Sequence, residues 1–392
     1  MNRLKILSVF GTRPEAIKMA PIVKKLAQQP ERVQSYVCVT AQHREMLDQV
    51  LTLFDIQPDY DLNLMAHNQT PTQVAARVMS TLEPLLAELK PDWMLVQGDT
   101  TTVMAAAIAA HYQQVRVGHV EAGLRTYDRQ NPFPEEMNRV VADHVSDLCF
   151  APTAASRDNL RREGIADAKI FVTGNSVIDA LLETAARPIP PSLYEWAEAQ
   201  GLSLFFQNNP STDRTLITVT AHRRENHGQP IRHICQAIRH LAQTRPELQF
   251  VYPVHRNPNI WNPVHELLQG LVNVTLTPPV DYLTLVHLMK RSKLVLTDSG
   301  GIQEEAPSLG APVLVLRETT ERPEAVAAGA ARVVGTDPQR IVQETMLLLD
   351  DTAVYQQMSR AVNPYGDGQA SARITQLLLE GACDEFQSPP LT

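Results

Sequence analysis

Two doubly wound α/β domains are predicted by three observations. Short apolar runs alternate with helical stretches from end to end, the pattern of a parallel sheet covered on both faces. Polar residues gather where those runs stop, at Arg13, Gln42, Asp99, Glu121 and Asn175, and in a strand-turn-helix repeat these positions share one sheet edge. The alternation breaks at Pro188-Ile189-Pro190-Pro191 and at residues 207–214, then resumes at Thr215. A length of 392 residues is too great for one ordinary core and suits two domains.

In the first half, Lys5 to Phe10 reads as a strand, followed by Gly11-Thr12 and a helix from Pro14 to about Gln28, with proline at its first position. Tyr36 to Thr40 is the second strand, and Gln42-His43-Arg44-Glu45 opens the next helix. Thr70 or Thr72 caps a long helix ending near Lys90. Trp93 to Val96 leads into Gln97-Gly98-Asp99-Thr100 and an alanine-rich helix over 103–110. Val115 to Val117 leads into a loop beginning at Gly118 that carries Glu121 and Arg125. A proline-containing loop opens the helix with Glu135, Asn138 and Arg139. Strands at Leu148 to Ala151 and Ile170 to Thr173 complete the series.

The second series places strands at Leu216 to Thr220, Gln249 to Pro253, Val272 to Leu276, and ending at Leu296, with Val313 to Leu316 last. Asp298-Ser299-Gly300-Gly301 reads as a turn whose glycines allow positive φ and close approach of a ligand. A short helix over Ile302 to Ser308 then aims its free N–H groups at that spot, an anion site, with Glu304 and Glu305 in its first turn. The alternative is a turn with no ligand. The predicted domains are residues 1–175 with about 365–392, whose closing helix (Gln369 to Leu379) returns to the first domain, and residues 176–364. Their carboxyl edges are expected to face each other across a cleft. The end from Glu385 reads as disordered.

A net charge of −8 disfavours general affinity for nucleic acid. No apolar run approaches the roughly 18 residues of a membrane helix, and MNRLKILSVFG reads as a first strand rather than a signal peptide. Four scattered cysteines without a CxxC pair fit reduced residues of a cytoplasmic protein. There is no P-loop, no GxGxxG, no HExxH and no GxSxG, so these patterns offer no nucleotide, metal or serine-nucleophile site.

Asp99, Glu121 and Glu135 stand at strand ends or a helix start. There a buried carboxylate serves as general acid or base, or else merely caps a helix. Glu121 follows an apolar strand and needs a partner, for which Arg125 is a candidate. His222 and His255 occupy equivalent places in the second half, each followed by arginine, and either suit a phosphate or leaving group or are two surface loop histidines. An anion site in one domain and acid/base carboxylates in the other suit a nucleotide-sugar enzyme; which reaction, spacing does not reveal.

Long motifs carry more: FGTRPEAIKMAP (10–21), TAQHREMLDQVL (40–51), GDTTT (98–102), GHVEAGLRT (118–126), PEEMNR (134–139), TGNSVIDAL (173–181), TAHRREN (220–226), YPVHRNP (252–258), TDSGGIQEEAPSLGAPVLVLRETTERPEAV (297–326) and NPYGDG (363–368). In this order they closely resemble the bacterial non-hydrolysing UDP-N-acetylglucosamine 2-epimerases over nearly the whole chain. The resemblance implies a glycosyltransferase B-type fold of two Rossmann-like domains, a homodimer, and interconversion of UDP-GlcNAc and UDP-ManNAc without cofactor or metal. The implied route eliminates UDP to give 2-acetamidoglucal and re-adds it, supplying ManNAc units for cell-surface polysaccharide. By resemblance, Asp99, Glu121, Glu135 and His222 are catalytic. Arg13, Lys18, Ser299, Gly300, Gly301, Glu305 and Arg322 bind the substrate. Gln42, His43, Arg223 and His255 resemble an activator site for a second UDP-GlcNAc. Glu45 stands where activator-dependent members carry glutamine, and Val280 and Leu285 where others carry Gln and Phe beside uracil. The rival functions are a hydrolysing 2-epimerase releasing ManNAc and UDP, a glycosyltransferase of the same fold, and a nucleotide-sugar sensor without turnover.

Overall fold

The computed structural model describes residues 3–40, 44–64, 69–207 and 213–387. They divide into two compact units, one holding the described residues up to Ala180 and from Tyr365, the other Leu181–Pro364.

The first unit is built on strands β1 (Leu4–Phe10), β2 (Val33–Val39), β3 (Tyr60–Asp61), β4 (Trp93–Gln97), β5 (Arg116–Val120), β6 (Leu148–Ala151) and β7 (Ile170–Val172). Its helices are α1 (Arg13–Ala27), α2 (Arg44–Leu53), α3 (Pro71–Leu89), α4 (Thr101–Tyr112), α5 (Glu135–Val145), α6 (Ala154–Arg162) and the start of α7 (Ser176–Ala186). The seven strands run parallel in the order β3-β2-β1-β4-β5-β6-β7. Such a sheet is covered on both faces, which is why β4 reads Trp-Met-Leu-Val-Gln with every residue buried. The first three strands build outward from β1, and the chain then crosses to β4 on its other side. The β1/β4 edge is therefore the topological switch point, where ligands of open α/β sheets bind.

Two expectations change here. The loop expected from Gly118 starts later, because β5 continues to Val120. A Cβ at Gly118 would lie 2.8 Å from Leu95 and 2.9 Å from Phe150, so this glycine is a packing requirement inside the sheet. The chain end is ordered further than expected. Glu385 pairs with Arg157 and accepts from Val172 N at 3.2 Å, Phe386 N donates to the Val172 carbonyl at 2.8 Å, and the Phe386 ring is buried. Residues 388–392 lie outside the described residues.

The second unit contains the end of α7, α8 (Pro191–Ala199), α9 (Ser203–Phe206), β8 (Thr215–Thr220), α10 (Gln229–Thr244), β9 (Leu248–Pro253), α11 (Pro258–Leu268), β10 (Val274–Thr277), α12 (Tyr282–Arg291), β11 (Leu294–Thr297), α13 (Gly300–Ser308), β12 (Val313–Val315), α14 (Pro323–Ala327), β13 (Ala331–Val333), α15 (Pro338–Asp350) and α16 (Thr352–Ser359). Its six parallel strands run β10-β9-β8-β11-β12-β13, so the switch point lies between β8 and β11. The last helix, α17 (Ala370–Glu380), packs on α1. Cys38, Cys149 and Cys235 are buried, and burial pushes the Cys38 and Cys235 thiols up to about 12, leaving them protonated packing residues.

His287 on α12 gives the second unit a pH dependence. The residue is buried, its Nδ1 accepts from Arg291 at 3.1 Å, and Nε2 has no partner among the described residues. Burial, then Arg291 and Lys290, lower its pKa from 6.5 to about 4. The folded protein resists protonation that the unfolded chain accepts, so stability is complete above about 6.5 and is lost as pH falls toward 4. His287→Gln is expected to flatten that decline, by on the order of 3 kcal/mol at most. Urea titrations of both proteins between those pH values measure the difference; parallel declines would show that His287 does not titrate in this window.

Candidate active site

At the first switch point, Glu15 ties the two loops together. Thr12 and Glu15 form a capping box at the start of α1. Glu15 Oε2 accepts from Gly11 N at 2.7 Å and Thr12 N at 2.8 Å, and its Oε1 accepts from the Thr100 hydroxyl at 2.6 Å. Thr100, not Asp99, caps α4, so the capping alternative for Asp99 falls away.

Asp99 is left to the cluster beside it. Its carboxylate lies 2.9 Å from Arg139, and its backbone carbonyl accepts from Asn138 Nδ2 at 3.0 Å. A third of its side chain remains accessible, yet close packing pushes its pKa up. Arg139 opposes the rise, Glu121 adds to it, Lys18 opposes it, and Glu135 adds to it. Asp99, Glu121 and Glu135 thus belong to one electrostatic group with two cations. Glu135 begins α5 and is half-buried. Its neighbour Glu136 is the buried one, accepting from Thr126 N at 3.1 Å and Tyr127 N at 2.8 Å, and holds the preceding loop.

Glu121 does not pair with Arg125. Its side chain, 5% exposed, accepts from Lys18 Nζ at 2.5 Å, Gln97 Nε2 at 2.5 Å and Asn175 Nδ2 at 2.9 Å. Its φ of +66° is uncommon for a residue with a Cβ and turns the chain sharply out of β5. Arg125 instead joins Asp143 at 2.6 Å and Glu163 at 2.7 Å. Behind them, buried His119 has Nδ1 2.6 Å from Asp143 Oδ1 and Nε2 2.7 Å from the Gly98 carbonyl. Burial lowers the His119 pKa, but Asp143 outweighs it and the net shift is upward. Periodicity showed Glu121 but not this network, because Asp143 and His119 are brought together by β5 and α5 packing.

At the second switch point, α13 begins at Gly300, earlier than expected. Neither Gly300 nor Gly301 has positive φ, and a Cβ at either would come no nearer than 3.7 Å to a neighbouring atom, so neither backbone conformation nor internal packing requires glycine here. Glu304 and Glu305 consequently sit in the second helical turn, both buried, and no acidic residue complements the helix start. Ser299 makes no side-chain cap. A Cβ on Gly300 would lie 3.7 Å from an Arg223 Nη and 3.8 Å from Arg322 Cζ, so two guanidinium groups flank an uncapped helix N-terminus. That is an anion cradle. Arg322 is oriented by an ion pair with buried Glu304. Arg223, expected at an activator site, brings its guanidinium to this cradle.

Asp298, fully buried, links the β8 and β11 loops. Its Oδ2 accepts from His222 N, Arg223 N and Asn226 Nδ2, each at 2.8 Å. Its Oδ1 has no hydrogen-bond partner among the described residues and lies 3.6 Å from His222 Nδ1. The enclosed part of the His222 ring lowers its pKa, Asp298 opposing and Arg223 and His255 assisting. The His255 ring stacks on His222 at 5.7 Å. Arg13 is the first residue of α1, and Gln42 and His43 lie outside the described residues.

Two parallel doubly wound sheets, with a cluster of carboxylates at one switch point and two guanidinium groups at a helix start at the other, define a glycosyltransferase B-like α/β protein class. A glycosyltransferase from Rickettsia africae, only 13% identical, shares this fold with a TM-score of 0.62. The family model for UDP-N-acetylglucosamine 2-epimerase matches residues 24–379. The Salmonella typhimurium UDP-N-acetylglucosamine 2-epimerase is 56% identical over 96% of this chain and 98% of its own, and that of Escherichia coli K12 is 54% identical over 96% and 98%. The crystal structure of the Neisseria meningitidis UDP-GlcNAc 2-epimerase bound to UDP-GlcNAc has a TM-score of 0.87 at 49% identity, covering 96% of this chain and 100% of that one. The chain belongs to the UDP-N-acetylglucosamine 2-epimerase family, a family of isomerases.

Proposed function

We propose that the protein interconverts UDP-GlcNAc and UDP-ManNAc reversibly without hydrolysing them. The observation that carries this reading is the coupled group of Asp99, Glu121 and Glu135 around Lys18 and Arg139. Binding a neutral hexosamine needs no such arrangement, whereas moving a proton at carbon 2 does. The UDP-GlcNAc found in the Neisseria relative supports the substrate class. The α13 cradle would hold the diphosphate, with Ser299, Gly300, Gly301 and Arg322 placed for it and Glu305 for the ribose. A carboxylate removes the proton from carbon 2 while the bond from carbon 1 to the UDP oxygen breaks, leaving 2-acetamidoglucal and UDP. UDP then re-adds at carbon 1 and a proton is delivered to the other face of carbon 2. His222 would serve the departing and returning phosphate.

Proton NMR of UDP-GlcNAc with the enzyme in D₂O tests this. UDP-ManNAc carrying deuterium at carbon 2 is expected. Free ManNAc plus UDP would move the protein to a hydrolysing reaction. A folded protein that binds UDP yet exchanges nothing would leave a transferase or a sensor.

A further inference from the structure

We propose that His119 is a positioning residue: as an imidazolium spanning Asp143 and the Gly98 carbonyl, it sets the loop that carries Asp99 against Glu121. This rests on the epimerase reading for its catalytic meaning, though not for its geometry.

Both groups that His119 meets are acceptors. The Gly98 carbonyl, 2.7 Å from Nε2, can only accept. Asp143, 2.6 Å from Nδ1, is kept ionised by its other oxygen, which accepts from Arg125 at 2.6 Å and Gly123 N at 3.2 Å. Each ring nitrogen therefore donates, and a ring with two N–H groups is an imidazolium. Its charge is tolerable because it is compensated: Asp143 answers it, and Glu163 answers Arg125 through contacts of 2.8 and 2.7 Å.

The Gly98 peptide is what the Nε2 donor holds. Gly98 has φ of +84°, and its N–H donates to the Val120 carbonyl at 3.1 Å. One residue before Asp99 is thus gripped from both sides, by Val120 through nitrogen and by His119 through oxygen. The same glycine meets Glu121, whose Oε2 would lie 3.7 Å from a Cβ at position 98. Loosening the carbonyl frees the peptide that leads into Asp99 at the point where it borders Glu121.

Two conservative variants separate the two contacts. The amide of His119→Asn can replace Nδ1 toward Asp143 but leaves the Gly98 carbonyl unpartnered. The amide of His119→Gln reaches the Nε2 position and can keep the Gly98 contact. With UDP-GlcNAc as substrate, His119→Asn is expected to lower kcat by about 30-fold or more with KM changed less than about threefold, and His119→Gln to restore kcat to within about fivefold of wild type. Hydrogen exchange of residues 97–102 gives a readout independent of activity: about tenfold faster in His119→Asn and near wild type in His119→Gln. Equal kcat and equal exchange in the two variants, or a greater loss in His119→Gln, would overturn the proposal. If the wild-type enzyme exchanges no proton at carbon 2, the epimerase reading fails separately, and the exchange difference alone decides whether His119 holds the loop.

Discussion

Glu121→Gln is expected to lower kcat by about a thousandfold, within the range roughly 10² to 10⁴ attached to a general acid or base. Three donors, from Lys18, Gln97 and Asn175, converge on this carboxylate within 2.9 Å, so these three neighbours are arranged for a negative acceptor. An amide must turn its NH₂ toward at least one of them and takes the Glu121 charge away from the Lys18 ammonium. Breaking such a buried contact should cost about 2–4 kcal/mol. Thermal unfolding and UDP binding by calorimetry separate the two effects. A variant that remains folded at the assay temperature and binds UDP like wild type, yet no longer washes deuterium into carbon 2, identifies Glu121 as part of the chemistry. Retention of more than about a tenth of kcat would reduce Glu121 to a structural anchor.

The second large effect is at Asp298, where alanine and asparagine should behave differently. Asp298→Ala orphans three buried donors, His222 N, Arg223 N and Asn226 Nδ2, each lost contact costing about 1–3 kcal/mol. The β8 and β11 loops would separate, and the cradle of Arg223 and Gly300 with them. Asp298→Asn can place its carbonyl where Oδ2 now accepts all three and its NH₂ where Oδ1 faces His222 Nδ1. The fold should then stay within about 1 kcal/mol of wild type, while an amide donor beside Nδ1 favours the wrong histidine tautomer. A loss in kcat of about 10²-fold or more with intact stability is the expected outcome for Asn, because the amide also removes the negative charge that faces His222 Nδ1 across 3.6 Å. Full activity in Asp298→Asn would show that His222 works without orientation from Asp298.

How much could be seen beforehand differs between the two sites. Asp99, Glu121 and Glu135 stood out because each ends an apolar run or opens a helix, and a local pattern is enough to see that. The Gly300-Gly301 site was legible for a related reason, although the glycines proved to be the first turn of α13 rather than a turn before it. Partners were not legible. Arg125 is four residues from Glu121 and seemed its natural counter-ion, yet the positive φ at Glu121 turns the two apart and gives Arg125 to Asp143 and Glu163. The end from Glu385 reads as disordered in sequence, yet Arg157, 228 residues away, holds Glu385.

The sequence by itself determined the α/β alternation, the two series of strands, the family and the residues that carry charge at the sheet edges, because these depend on local periodicity and on motifs readable in one dimension. Only the tertiary structure decided which side chains meet. Lys18, Gln97 and Asn175 reach Glu121 from three different elements, Asp298 joins loops 76 residues apart, and His119 is charged because packing leaves it two acceptors and no donor. Hydrogen bonds between strand ends depend on strand order, β1 beside β4 and β8 beside β11, and that order is set by contacts between residues far apart in the chain, which local periodicity does not carry.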